Sequence, residues 1–206
     1  MSKKRKKGVL VLITLLLIVI ILILISTFWF GKNEMKIVDE ISKYGYTLDE
    51  RDTQLMKDIF NKLKSELDKK EINFEKYAEY LSELFIIDLY TLDNKVNKYD
   101  VGGVEYIHPN HVQNYQLKVG DTLYRYLEDS SSRKAKMPQV SEIALIDILP
   151  TRYTYLEKEY EAFSVKLRWD YVEDLGYDET GTVIVMNIEG KLYVSEYSTE
   201  VEEWKK

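Results

Sequence analysis

The chain has 206 residues, with 29 Lys and Arg against 35 Asp and Glu (net charge −6), two histidines, 17 tyrosines and no cysteine. The missing thiol excludes a disulfide framework, a lipoprotein lipobox, thiolate zinc and a cysteine nucleophile. The acidic balance argues against nucleic acid or anionic headgroups as partners, because phosphates would be repelled.

The first element in chain order is Val9–Phe30, 22 residues without a charge, Gly or Pro. As a helix it would measure roughly 33 Å, enough for a ~30 Å hydrocarbon layer. It is longer than a signal h-region and exits through Ser26-Thr27-Phe28-Trp29-Phe30 rather than a small-x-small step. Lys3, Lys4, Arg5, Lys6 and Lys7 precede it, which would hold residues 1–8 in the cytoplasm. These features predict a single-pass protein of the plasma membrane, residues 9–30 spanning and the C-terminal part extracytoplasmic. Five of the 29 Lys and Arg precede that span, leaving 24 against all 35 Asp and Glu, a net −11 for the outer part. An exported chain without cysteine fits a bacterial envelope.

Residues 31–51 read as a stalk, in which Ile37, Val38, Ile41, Tyr44 and Tyr46 form a short helix or dock on the domain that follows. That domain is expected over 52–198. Leu55, Met56, Ile59, Phe60, Leu63 and Leu67 recur at 3.6-residue spacing, and Asp52 or Thr53 can cap the start. A second helix opens at Asn73, with Glu75 in its first turn. From Leu84 to Leu92 it is apolar nearly all round, as a buried central helix must be. Asp100-Val101-Gly102-Gly103 marks a break, and Pro109 suits a first helical position. Val112, Tyr115, Val119, Leu123, Tyr126 and Leu127 continue that third helix.

After Pro138 the period changes from 3.6 to 2. Val140–Leu149 reads as a strand continuing through Tyr153 and Tyr155, and Pro150 within it demands a sheet edge or a bulge. Phe163, Val165, Leu167, Trp169 and Tyr171 alternate with polar residues, and Thr180–Ile188 and Leu192–Tyr197 flank a turn at Glu189-Gly190. The fold class expected is α+β: an N-terminal transmembrane helix, then three helices packed on a curved four-strand antiparallel sheet. Residues 199–206 are left as a tail.

That order of elements, over about Thr47–Tyr197, resembles the cone-shaped fold of the nuclear-transport-factor-like superfamily. With an N-terminal anchor it looks most like the bitopic assembly components of type IV secretion and conjugation machines. Phe85-Ile86-Ile87-Asp88-Leu89-Tyr90 and Asp100-Val101-Gly102-Gly103 are also similar to segments of uncharacterised membrane-anchored proteins of Gram-positive bacteria. The resemblance carries no motif, so it transfers no functional residue.

Asp88 falls on the helical wheel among Leu81, Leu84, Phe85 and Leu92. A carboxylate there is usually structural, satisfied by a Tyr hydroxyl, an Arg or a helix N-terminus. Its functional alternative is a general base with a raised pKa, as in ketosteroid-isomerase-like relatives of the resembled fold. Asp147 interrupts Ile143–Leu149 and would complete an acid/base pair only if both carboxylates faced one cavity. His108 and His111 could ligate a metal with Asp100 or Glu105, or simply mark a helix start. The acidic run Asp170, Glu173, Asp174, Asp178 and Glu179 lacks calcium-loop spacing and reads as a solvated turn. No phosphate-cradling or dinucleotide fingerprint occurs, so no cofactor is expected. The function expected is an interaction, scaffold or ligand-binding module, with a protein partner, a second copy or an apolar small ligand. An acid/base enzyme acting through Asp88 is the alternative.

Overall fold

A computed structural model describes residues 16–19 and 36–199. The chain divides into two units, Met1–Lys36 and Ile37–Lys206. In the first, residues 16–19 are helical and exposed.

The expected membrane anchor is corrected at this point. Among the described residues no helix is long and apolar enough to cross a membrane. The transmembrane part of the expected fold class, and the single-pass localisation built on it, therefore have no support. The remainder of Val9–Phe30, the basic tail 1–8 and residues 200–206 lie outside the described residues.

The second unit begins earlier than expected. Of the two expectations for Ile37–Asp49, the short helix is not found and docking on the domain is: the segment is an antiparallel hairpin of β1 (Ile37–Ile41) and β2 (Tyr46–Asp49). Ile41, Tyr44, Tyr46 and Leu48 are buried in the core, so the aromatic residues of this segment are anchors. Tyr46 Oη lies 2.6 Å from Tyr77 Oη and donates to the Leu192 carbonyl at 3.2 Å, tying the hairpin to a helix and to the sheet at once.

Helix α1 (Gln54–Leu67) is capped by Thr53, whose hydroxyl accepts from the Met56 N–H at 3.2 Å. It buries Met56, Ile59, Phe60 and Leu63. Helix α2 (Phe74–Tyr90) is capped by Asn73, which accepts from the Lys76 N–H at 3.1 Å. From Leu81 to Tyr90 every residue except Asp88 is buried, because α1 covers one side and the sheet the other. Pro109 opens a short 3₁₀ turn (Pro109–His111) that runs into α3 (Val112–Asp121). This helix ends sooner than its periodicity suggests, so Tyr126 is exposed and Tyr124 takes the buried place instead.

The sheet is a four-strand antiparallel meander, β3 (Val140–Tyr155), β4 (Lys158–Tyr171), β5 (Thr180–Ile188) and β6 (Lys191–Thr199), in that spatial order. Pro150 lies on β3, an edge strand, where a missing N–H is tolerated. The bulges of β3 fall between Val140 and Glu142 and between Leu145 and Asp147, not at the proline. The inner sheet face presents Val165, Leu167, Trp169, Val183, Val185, Leu192 and Val194 to α2. This is the α+β order expected for the globular part: three helices, then a four-strand sheet.

Candidate binding site

Three elements converge on a cavity of about 700 Å³. The C-terminal half of α2 supplies Phe85, Leu89 and Tyr90; α3 supplies Tyr115, Lys118 and Val119 at the i, i+3, i+4 spacing of one helical face; the third wall is β6 from Val194 to Thr199. The volume suits a small ligand or a short stretch of chain.

Its floor is aromatic. Phe85 lies 6.0 Å from the Tyr115 ring and 5.7 Å from the Tyr197 ring, the latter edge-to-face, and Tyr197 meets Tyr90 edge-on at 6.2 Å. The hydroxyls form a directed chain. Tyr197 donates to the Tyr90 hydroxyl at 2.8 Å, and Tyr90 donates to the Asp178 carboxylate at 3.0 Å. From the other side Trp169 Nε1 donates to the Tyr171 hydroxyl at 2.9 Å, which donates to the Asp178 carbonyl at 2.7 Å. Asp178, part of the run read as a solvated turn, is thus held over the cavity by two phenols.

Burial pushes the hydroxyls of Tyr90 and Tyr197 far above the ordinary tyrosine value, with further upward pressure on both from Asp178. Both remain protonated donors at any physiological pH, so the chain can orient a bound group but not supply a phenolate base. Two carboxylates, Asp178 and Glu196, stand against one ammonium, Lys118, on the wall.

Gly181 makes the aromatic wall possible. A Cβ there would lie 2.9 Å from the Ser198 carbonyl oxygen and 3.0 Å from the Tyr197 ring. Its absence lets Tyr197 lie close to the sheet.

The sequence-derived candidates are not brought together. Asp88 pairs with the Lys95 ammonium through one carboxylate oxygen and accepts from the Gly103 N–H at 2.6 Å through the other. The Lys95 side chain is 6% exposed and that of Asp88 19%, so the ammonium is buried and its partner half-buried. Gly102 packs so tightly on α2 that a Cβ would lie 2.1 Å from the Asp88 carbonyl oxygen, and Gly103 adopts a positive φ of 77°. Tyr115 donates to the Gly102 carbonyl at 2.7 Å, and the Gly102 N–H donates to the Tyr124 hydroxyl at 3.3 Å, which itself donates to the Leu89 carbonyl at 2.8 Å. Asp88 is therefore the latch between α2 and the loop that leads to α3, and it does not line the cavity.

Asp147 is exposed on edge strand β3 beside a bulge, its carboxylate accepting from the next residue's N–H at 2.9 Å. It shares no cavity wall with Asp88. His108 caps the 3₁₀ turn, Nδ1 accepting from the Asn110 N–H at 3.3 Å. The rings of His108 and His111 are 6.1 Å apart and both pack on Tyr155. Burial, and then the neighbouring His111, lower the His108 pKa. Their expected co-ligands are engaged elsewhere, Asp100 with Arg51 at 2.7 Å and Glu105 with Thr47 at 2.9 Å. Among the described residues no group of three His, Asp or Glu is placed to hold a metal ion.

The cavity residues missed by sequence reasoning are Tyr90, Tyr197 and Asp178. The two tyrosines read as ordinary core and sheet positions, and only tertiary structure joins them to a loop some ninety residues from Tyr90 and twenty from Tyr197. Comparison with protein-family models, with curated proteins and with solved structures finds no match for this chain.

Proposed function

We propose that the unit from Ile37 to Thr199 is a binding module whose site is the cleft between α2, α3 and β6. The supporting observation is the aromatic floor of Phe85, Tyr115 and Tyr197 closed by a phenol chain that ends on Asp178. Apolar area with a few convergent polar groups is what a recognition site requires. Its hydroxyls are locked in the protonated state, which suits holding better than proton transfer. Asp88 has both oxygens committed to Lys95 and Gly103, which favours a structural part for it over general-base chemistry. Likeness to the nuclear-transport-factor-like superfamily stays at the level of element order and contributes nothing to this proposal.

The test is a ligand-observed NMR fragment screen on the full chain and on an Asn114→Trp variant. Asn114 is an exposed wall residue, so the indole adds bulk over the cleft without disturbing the core. Neutral aromatic fragments should bind the parent chain and lose binding at least tenfold in the variant. Fragments that bind both equally, or none at all, would refute a cleft-based module.

A further inference from the structure

We infer that the occupant of this cleft is an extended peptide segment carrying a Lys or Arg, which adds as a fifth strand to the free edge of β6. The inference rests on the binding-module proposal and names its partner class.

The first observation is the pattern of the β6 wall. Val194, Ser195, Glu196, Tyr197, Ser198 and Thr199 all line the cleft. Successive side chains of a strand point to opposite faces, so beyond the bulge at Ser195 a cavity lying on one face would touch Tyr197 and Thr199 but not Glu196 and Ser198. A cavity that touches six in a row meets the strand along its edge, where the main-chain N–H and C=O groups are.

The second is that this edge carries no ladder among the described residues. β6 is the last strand of the sheet, and its other side is paired to β5 on either side of a bulge at Ser195. One residue does pair on the outer side: Ile107 forms a parallel bridge to Val194. The chain at Ile107 thus begins to run as a neighbouring strand. Two residues later Pro109, which has no N–H to offer a ladder, turns it into the 3₁₀ segment and α3. Ser195–Thr199 is left with an open edge, about 17 Å long at ~3.4 Å per residue, and α3 becomes the opposite wall. A strand edge facing a helix across a cleft is the geometry of recognition by strand addition, in which main-chain hydrogen bonds give affinity and side-chain contacts give selectivity.

The third is charge. Asp178 and Glu196 line the cleft against Lys118 and His111, and Asp178 lies two residues before β5, whose Gly181 pairs with Thr199. Its carboxylate therefore marks the Thr199 end. A peptide in the cleft lays alternate apolar side chains on Phe85, Tyr115 and Tyr197 and brings a terminal cation to Asp178.

The experiment is fluorescence anisotropy on the full chain. The probe is a labelled hexapeptide of alternating valine and threonine with lysine at each end, so that either strand direction brings a cation to Asp178. Its partners are the same peptide with glutamate ends and the lysine peptide N-methylated at alternate amides. The lysine peptide should bind, the glutamate peptide at least tenfold more weakly, and both N-methylation and Asn114→Trp should abolish binding. Asp178→Asn, which keeps the acceptor for Tyr90, should weaken the lysine peptide severalfold. Equal binding of the N-methylated or the glutamate peptide would overturn strand addition or the charge preference. Failure of all peptides while aromatic fragments still lose binding in Asn114→Trp would overturn the peptide and leave the module standing. Concentration-dependent self-association abolished by Asn114→Trp would make the occupant a second copy and overturn the proposal.

Discussion

Asp88 joins α2 to Lys95 and Gly103 of the connector that leads to α3, and the energetics of this junction follow from burial. Lys95 and Asp88 form an ion pair with one partner 6% exposed, so removing a single partner strands a charge in low dielectric. Asp88→Asn should cost about 3 kcal/mol by urea denaturation, while Asp88→Asn combined with Lys95→Met should recover part of that loss. A double variant no more stable than the single would argue against a coupled pair. Gly102→Ala drives a methyl into the Asp88 carbonyl and should cost about 3 kcal/mol on the same measurement. Glu83 presents the opposite case. It is buried on α2 with one carboxylate oxygen unpartnered, and burial, aided by Glu79, raises its pKa to about 7. Glu83→Gln should raise the melting temperature at pH 8 and leave it nearly unchanged at pH 5, because only the ionised form is penalised.

At the scale of elements, what could be read in advance was local. A cap at Asp52 or Thr53 (the structure uses Thr53), the cap Asn73, the break at Gly102-Gly103, Pro109 at a helical start, the change of period after Pro138 and the turn at Glu189-Gly190 depend on neighbours a few residues away. Thr53→Ala and Asn73→Ala should each cost about 1 kcal/mol, a loss that circular dichroism of chemical unfolding would register. Features decided by distant contacts were not legible. Ile37–Asp49 is half apolar and adjoins a long greasy stretch, so it reads as a stalk that forms a short helix or docks; that it docks as a hairpin shows only once Tyr77 and Leu192 are seen to meet Tyr46. Tyr126 fell on the helical stripe but lies beyond the last turn of α3, so the phase no longer applied. The cleft was hidden for the same reason, since which strand forms the sheet edge and what faces it are properties of the assembled fold.

For the whole molecule, buried carboxyls set the response to pH. Burial is the main cause lifting Asp52 to about 6 and Glu105 to about 7, and Glu83 behaves likewise. For these groups the folded state holds protons more tightly than the unfolded chain. Their stabilisation is complete below the unfolded values and is lost as pH rises through 6 to 7. Asp100 acts in the other direction. Burial alone would raise it, but hydrogen bonds from Arg51 and the Val96 N–H outweigh that and lower its pKa, so its contribution is lost on strong acidification. The melting temperature should therefore peak near pH 5, fall toward pH 8, and fall again below pH 4. A profile rising steadily from pH 5 to 8 would show that these carboxyls are solvated.

The recognition of an extended segment along the open side of β6 is tested most directly by amide hydrogen exchange of Ser195–Thr199 in the full chain, with and without the lysine-ended hexapeptide. Outward-facing amides there should exchange rapidly in the free chain and slow at least tenfold on saturation, while the outer edge of β3, which carries no ladder among the described residues either, stays unchanged. Protection confined to β3, or saturable binding with no slowing at Ser195–Thr199, would contradict it.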